Sequence, residues 1–190
     1  MPNGTDSKEY MFMQYMEAGE TVLSRGLPKT GQTAVEQAGD DGFYQAGWWQ
    51  GIKKARTRFI AKTIGDNGDD VVIDLATGLM WAADGGAAGC FNGGEHTWLE
   101  CFTYLVDFEF AGFSDWRIPN VKELMSIVDN GRQNPAIKEP PFSLTRPVGY
   151  WTSTAFRPSI DEAWIVHFLE GVVTHKDKDT YYFHHRSHCC

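Results

Sequence analysis

Apolar residues recur at helical spacing in two places along the chain. Trp98, Cys101, Phe102, Leu105 and Val106 form the first stripe, and Val121, Leu124, Met125 and Val128 the second. Each stripe follows a capping-box pattern, Thr97 with Glu100 and Asn120 with Glu123, so the spacing predicts helices over 98–109 and 121–128. Asp129-Asn130-Gly131 is expected to stop the second, because Asn and Gly accept the left-handed conformation of a helix end. The stretch between them, Ala-Gly-Phe-Ser-Asp-Trp-Arg-Ile-Pro-Asn at 111–120, is where the two halves of the chain meet. In extended backbone Asp115 and Arg117 share one face while Trp116 turns to the other, toward a core, and Pro119 disfavours helix at Ile118. Asp115, Trp116 and Arg117 are therefore read as structural, a charged pair locked beside a buried indole, in preference to a ligand clamp.

Elsewhere the pattern is that of strands. Phe59 to Ile64 alternates apolar with polar residues, Val71-Val72-Ile73 is a compact β-branched run, and the turn residues Gly65 to Asp70 between them predict a hairpin. Asp74-Leu75-Ala76-Thr77-Gly78-Leu79-Met80-Trp81 reads as a turn that delivers Leu79 and Trp81 to the core from another short strand, which gives Asp74 and Trp81 structural roles. Tyr150 to Thr154, Ala163 to Phe168 and Val172 to His175 predict an antiparallel meander. Ahead of these elements, residues 1–27 are an N-terminal extension, either a short helix or disordered, and 28–51 is loop-rich with Trp48-Trp49 read as buried. The expected architecture is α+β, with two main helices packed on a twisted, mostly antiparallel sheet in one loop-rich domain over 28–190.

Charge and composition narrow the partners. A formal net charge of −8 with scattered Lys and Arg argues against nucleic acid and anionic surfaces, which demand clustered cations. No apolar run approaches a spanning helix, so no membrane insertion is expected, and the polar start shows no signal-peptide pattern. Four cysteines leave two readings for Cys101, a small buried hydrophobe or half of a Cys90 bridge. Asp66, Asp69 and Asp70 are candidate calcium ligands, but their spacing departs from an EF-hand loop and a plain Asn-Gly turn is preferred, so no cofactor is expected. The His and Cys residues of the tail, His184 to Cys190, lack the two separated ligand pairs of a structural zinc site. The serines sit in turns or caps and the histidines gather at the end, so no catalytic residues are assigned and the chain is not expected to be an enzyme.

Taken in order, Thr30-Gly31-Gln32-Thr33, Asp41 to Gly47, Asp74 to Trp81, Thr97-Trp98, Gly112 to Asn120, Lys122-Glu123-Leu124, Asn134 to Ile137, Tyr150 to Thr154, and Ala163 to Phe168 with Gly171 resemble the bacterial DUF1566 family. That family is also named for the C-terminal domain of the Legionella collagen-like adhesin. The resemblance spans roughly residues 28–182 and implies a C-type-lectin-like fold in proteins often exported or surface-attached, with no established enzymatic activity. Asp69-Asp70-Val71 in place of Asp-Gly-Thr, and the tail from Tyr181, depart from the family pattern.

Two functional classes follow. The favoured one is a non-catalytic recognition module of the bacterial cell surface, or of a phage or pilus, that binds a glycan or a protein ligand; a homo-oligomer stays open. The alternative is an enzyme or accessory related to formylglycine-generating enzymes, or a structural and assembly role. Lectin-like folds present ligands near the C-terminal meander, which makes Trp151, Asp161, Glu162, Trp164 and His167 the candidate ligand-binding residues, with core packing the competing role for both tryptophans.

Overall fold

The computed structural model describes residues 29–44, 58–65, 68–85, 94–143, 145–184 and 187–189. The expected extension 1–27, the Trp48-Trp49 pair, Asp66 and Cys90 lie outside the described residues. Within them a short helix α1 (Asp41–Tyr44) precedes strands β1 (Phe59–Ile64), β2 (Asp69–Asp74) and β3 (Leu79–Ala82), then helices α2 (Trp98–Tyr104) and α3 (Val121–Ser126). Strands β4 (Gly149–Ala155), β5 (Glu162–His167), β6 (Val172–Asp177), β7 (Phe183–His184) and β8 (Ser187–Cys189) follow. Two small sheets result, ordered β1-β2-β3-β8 and β6-β5-β4-β7; all pairings are antiparallel except β4 with β7. The fold is thus a mixture of few, short helices and small sheets.

Strands β2 and β3 of the first sheet bury residues on both faces, which is why β2 reads as a continuous β-branched run. Val72, Leu79 and Trp81 turn to a cluster with Leu124, Ile127, Tyr150, Val166 and Phe168, while Val71, Met80 and Ala82 turn to Phe108, Phe110 and Trp116. Its open corner is closed by a buried ion pair. The Arg58 guanidinium donates from Nε to Asp74 Oδ1 at 2.7 Å and from Nη2 to Oδ2 at 2.6 Å. The same carboxylate accepts the Ala76 amide at 2.9 Å and the Thr77 hydroxyl at 2.8 Å, and so shapes the β2–β3 turn. Asp74 is completely buried, as is Trp81, one strand-length further on.

Both predicted capping boxes are present, at Thr97/Glu100 and Asn120/Glu123. The helices they start are shorter than the periodicity suggests. After Tyr104 the amides of Leu105 and Val106 bond three residues back, to Phe102 and Thr103, and the chain leaves the helix to seat Phe108 and Phe110 against Trp116. The second helix ends at Ile127 in right-handed conformation, ahead of the expected Asn-Gly stop, because Val128 bridges to Ile137 and the Asp129 amide bonds to Ala136.

Between the helices, Phe110 and Phe113 exchange backbone bonds of 3.0 Å each across Ala111 and Gly112, whose φ values of 57° and 78° are those of a tight hairpin turn. Alanine in that region is strained, and Asp69 offsets the strain by accepting the Ala111 amide at 2.8 Å. Trp116 is buried against Phe110 and donates from Nε1 to the Phe110 carbonyl at 2.8 Å. Arg117 grips Glu123 bidentately, at 2.8 and 2.7 Å, and Asp115 beside it is exposed. The reason lies in the capping box, which folds the Glu123 carboxylate back over Asn120, accepting its amide at 2.8 Å, and so within reach of Arg117. With 38% and 22% of the two side chains exposed, the contribution is about 1 kcal/mol, not the several of a buried pair. Ser153 and Thr154 of β4 bond to Pro119 and Val121, which fastens this connection to the second sheet.

Replacing Trp116 with Phe removes the Nε1 donor and part of the core filling while keeping an aromatic ring. The expected cost is about 1–3 kcal/mol in urea unfolding, with an unchanged far-ultraviolet spectrum; an unchanged midpoint would show that the indole hydrogen bond does not hold the turn. For Glu123, burial works against ionisation, but the Arg117 hydrogen bond and the Asn120 amide outweigh it and hold the carboxyl below its ordinary value of 4.5. A carboxyl depressed in the folded state stabilises above that ordinary value, and the gain is lost as pH falls through the folded value. Thermal unfolding from pH 6 down to about pH 3 should therefore converge for the native chain and Glu123→Gln; parallel curves would contradict this role.

Candidate functional site

The sequence-predicted ligand residues fall into three groups. Trp151 is fully buried between Cys101, Ile118 and Ile165, and its Nε1 donates to the His96 carbonyl at 3.0 Å. It therefore offers no face to a ligand, a correction that follows from the inward direction of its β4 position. His167 lies at the far end of β5, on the face opposite Trp164 by strand alternation, and its Nδ1 accepts the Leu169 amide at 3.3 Å. Only Glu162 and Trp164, with Asp161 exposed on the preceding turn, come together.

Register explains what they join. Trp164 stands directly opposite His175 on β6, and Phe156, the residue after β4, covers both. The Phe156 ring and the His175 imidazole stack at 3.8 Å with 3° between their planes, and Trp164 meets both edge-on, at 5.0 and 5.9 Å. Glu162 Oε1 lies 3.0 Å from His175 Nδ1, so the carboxylate orients the imidazole. All four side chains are half-buried. Beside them Ile160 is 84% exposed, and Lys178 bonds the Ile160 carbonyl while its ammonium lies 4.5 Å from the centre of the Trp98 ring. The result is a ledge of aromatic faces edged by carboxylates, suited to hold a flat or hydroxylated group by stacking and hydrogen bonds. Phe156 and His175 were not identified from the sequence; the β5–β6 pairing is the signal that finds them.

A second concavity lies between residues 29–33 and the end of α3. A cleft of about 390 Å³ is lined by residues 29–33, Asp41, Arg58, Phe59, residues 127–129, Gly131, Arg132 and Lys138. Two glycines make it. The Thr30 carbonyl accepts the Asn130 amide at 2.7 Å, and a Cβ on Gly31 would stand 2.0 Å from Asp129 Oδ1, while one on Gly131 would stand 2.4 Å from the Gly31 carbonyl oxygen. The Thr30 hydroxyl donates to the Asp41 carboxylate. Asp40 anchors the segment by accepting amides from Glu36, Gln37 and Phe43 at 2.9, 3.2 and 2.8 Å, and those amides, Glu36 foremost, hold its carboxyl below the usual range. On the cleft's other side Arg132 pairs with Asp129 at 3.3 Å.

Of the candidate calcium ligands, Asp69 is engaged by the Ala111 amide and Asp70 by the Thr63 hydroxyl at 2.6 Å. Among the described residues no three His, Cys, Asp or Glu side chains converge as a metal site, and no helix is long and apolar enough to cross a membrane.

No curated protein matches the chain. The family of the Lcl C-terminal domain does, over residues 70–186, a span that takes in β2 from its second residue, β3 to β7, both capped helices and the whole ledge. This match is of the surface-associated, adhesin-like kind, and it covers more than half of the 190 residues: the chain belongs to the Lcl C-terminal domain family.

Proposed function

We propose that this domain is a non-catalytic recognition module, surface-exposed or secreted, of the C-type-lectin-like type that DUF1566 proteins resemble, and that it holds a neutral glycan or a protein ligand on the ledge of Phe156, Trp164 and His175. The observation that carries the reading is the ledge itself: three aromatic rings, Phe156 stacked on His175 and Trp164 edge-on to both, left half-buried instead of taken into the core. Half-exposed aromatic rings are costly to keep at a surface without a use, and their faces suit the apolar side of a sugar ring or an apolar side chain. Glu162 and the exposed Asp161 supply acceptors for hydroxyl or amide donors at the border. A chain of net charge −8 favours neutral over polysulfated ligands in the monomer.

A glycan array probed with the native chain and with Trp164→Ala tests this. Retention on neutral glycans should fall about tenfold in the variant, the scale of one lost aromatic contact, with little change in melting temperature because Trp164 is not a core residue. Equal retention by the two chains, or retention confined to sulfated glycans, would refute the ledge as the binding surface.

A further inference from the structure

Two contacts fix the His175 imidazole in the ledge before any ligand arrives. The stack on Phe156, 3.8 Å away and 3° from parallel, sets the plane of the ring. Within that plane the Glu162 carboxylate, 3.0 Å from Nδ1, selects the nitrogen that carries the proton. A carboxylate can only accept, so in the neutral ring Nδ1 donates to it and Nε2 keeps its lone pair. Nε2 bonds to no described residue and is not closed off from solvent. With 38% of the side chain exposed, the ledge holds among its rings a hydrogen-bond acceptor of fixed direction.

The side chains bordering the rings on β5 and β6 accept as well. Asp177 stands opposite Glu162 in the β5–β6 register, and Asp161 is exposed on the turn before it. The two lysines of β6 and its end are directed elsewhere. Lys176 pairs with the buried Ala163 and falls on the other face of the strand from His175. Lys178 donates to the Ile160 carbonyl beside the Trp98 ring. Aromatic rings bordered by acceptors suit a ligand that is apolar on one side and brings donors at its rim, as a pyranose with free hydroxyls does. An apolar side chain of a protein would leave those acceptors unmet. Resting on the recognition role proposed for the ledge, we infer that its ligand is a neutral hexose glycan and that His175 is the residue that sets its specificity. Nε2 accepts a hydrogen bond from a hydroxyl of the sugar seated on the rings. A sugar with methylated hydroxyls keeps the apolar face, has no donor to give, and is rejected.

Retention of the full chain at pH 8, where histidine is ordinarily neutral, on immobilised dextran, mannan and galactan and on the O-methylated form of each tests the assignment. The native chain should be held by at least one of the three, about tenfold more strongly than by its methylated form. His175→Phe keeps a flat ring for the Phe156 stack and has no acceptor, so that preference should fall to about twofold or less. A ring needed only for packing would instead lower retention on both forms alike. Glu162→Gln, which no longer dictates where the imidazole proton sits, should also reduce the preference and leaves the His175 ring in place. Retention that Trp164→Ala abolishes, but whose preference for free hydroxyls is unchanged in either of these variants, would overturn the role of His175 and leave the ledge standing. Equal retention of free and methylated forms by the native chain would do the same. Retention on none of the three polysaccharides would overturn the glycan assignment together with His175.

Discussion

The carboxylate of Asp74 is completely buried and accepts four hydrogen bonds, two from Arg58, one from the Ala76 amide and one from the Thr77 hydroxyl. A buried charge is tolerated only when paired and saturated in this way. The consequences reach both sheet and surface. The pair fixes where β1 begins, and the amide of Leu75, the residue after Asp74, bonds the Arg58 carbonyl at 2.9 Å and ties the same corner through the backbone. It sets the β2–β3 turn, and with it the register that carries Trp81 into the core. It also holds the Arg58 guanidinium where the cleft opens.

A second constraint joins the two sheets. The hairpin turn at Ala111 and Gly112 is clamped from the first sheet by Asp69, and the stretch after it is fastened to α3 by Arg117 and to β4 by the Pro119 carbonyl. Trp116 fills the space between. The ledge depends on this indirectly. Trp151 and Ile165 pack on Ile118 and Cys101, while Trp164 and Phe156, at the other end of these strands from core residues Tyr150 and Val166, lie half-buried against His175.

Much of this was legible in the residues because it is local. Capping boxes are read over four residues, hairpins over a dozen, and the meander strands by their alternation; all of these stand in the structure. Helix ends were not legible, since tertiary demands, Phe108 on Trp116 and Val128 on Ile137, decide where each helix stops. Arg58 carried no local mark among its basic neighbours, and its partner lies sixteen residues on. The cleft needs residues 29–33 to meet 127–132, an approach about a hundred positions apart that no periodicity reports. Half of the ledge was missed for the same reason: His175 faces Trp164 only through strand register, whereas of the two roles open to Trp151 the structure shows core packing.

The ledge and the cleft thus rest on one scaffold whose corner is the Arg58–Asp74 pair. A double-mutant cycle with Arg58→Met and Asp74→Leu, followed by denaturant unfolding, measures that corner directly. Each single change strands a buried charge and should cost about 3–5 kcal/mol. The double variant strands none, so its cost should fall short of the sum by about 2 kcal/mol or more. Costs that add, with no coupling between the two positions, would contradict the account.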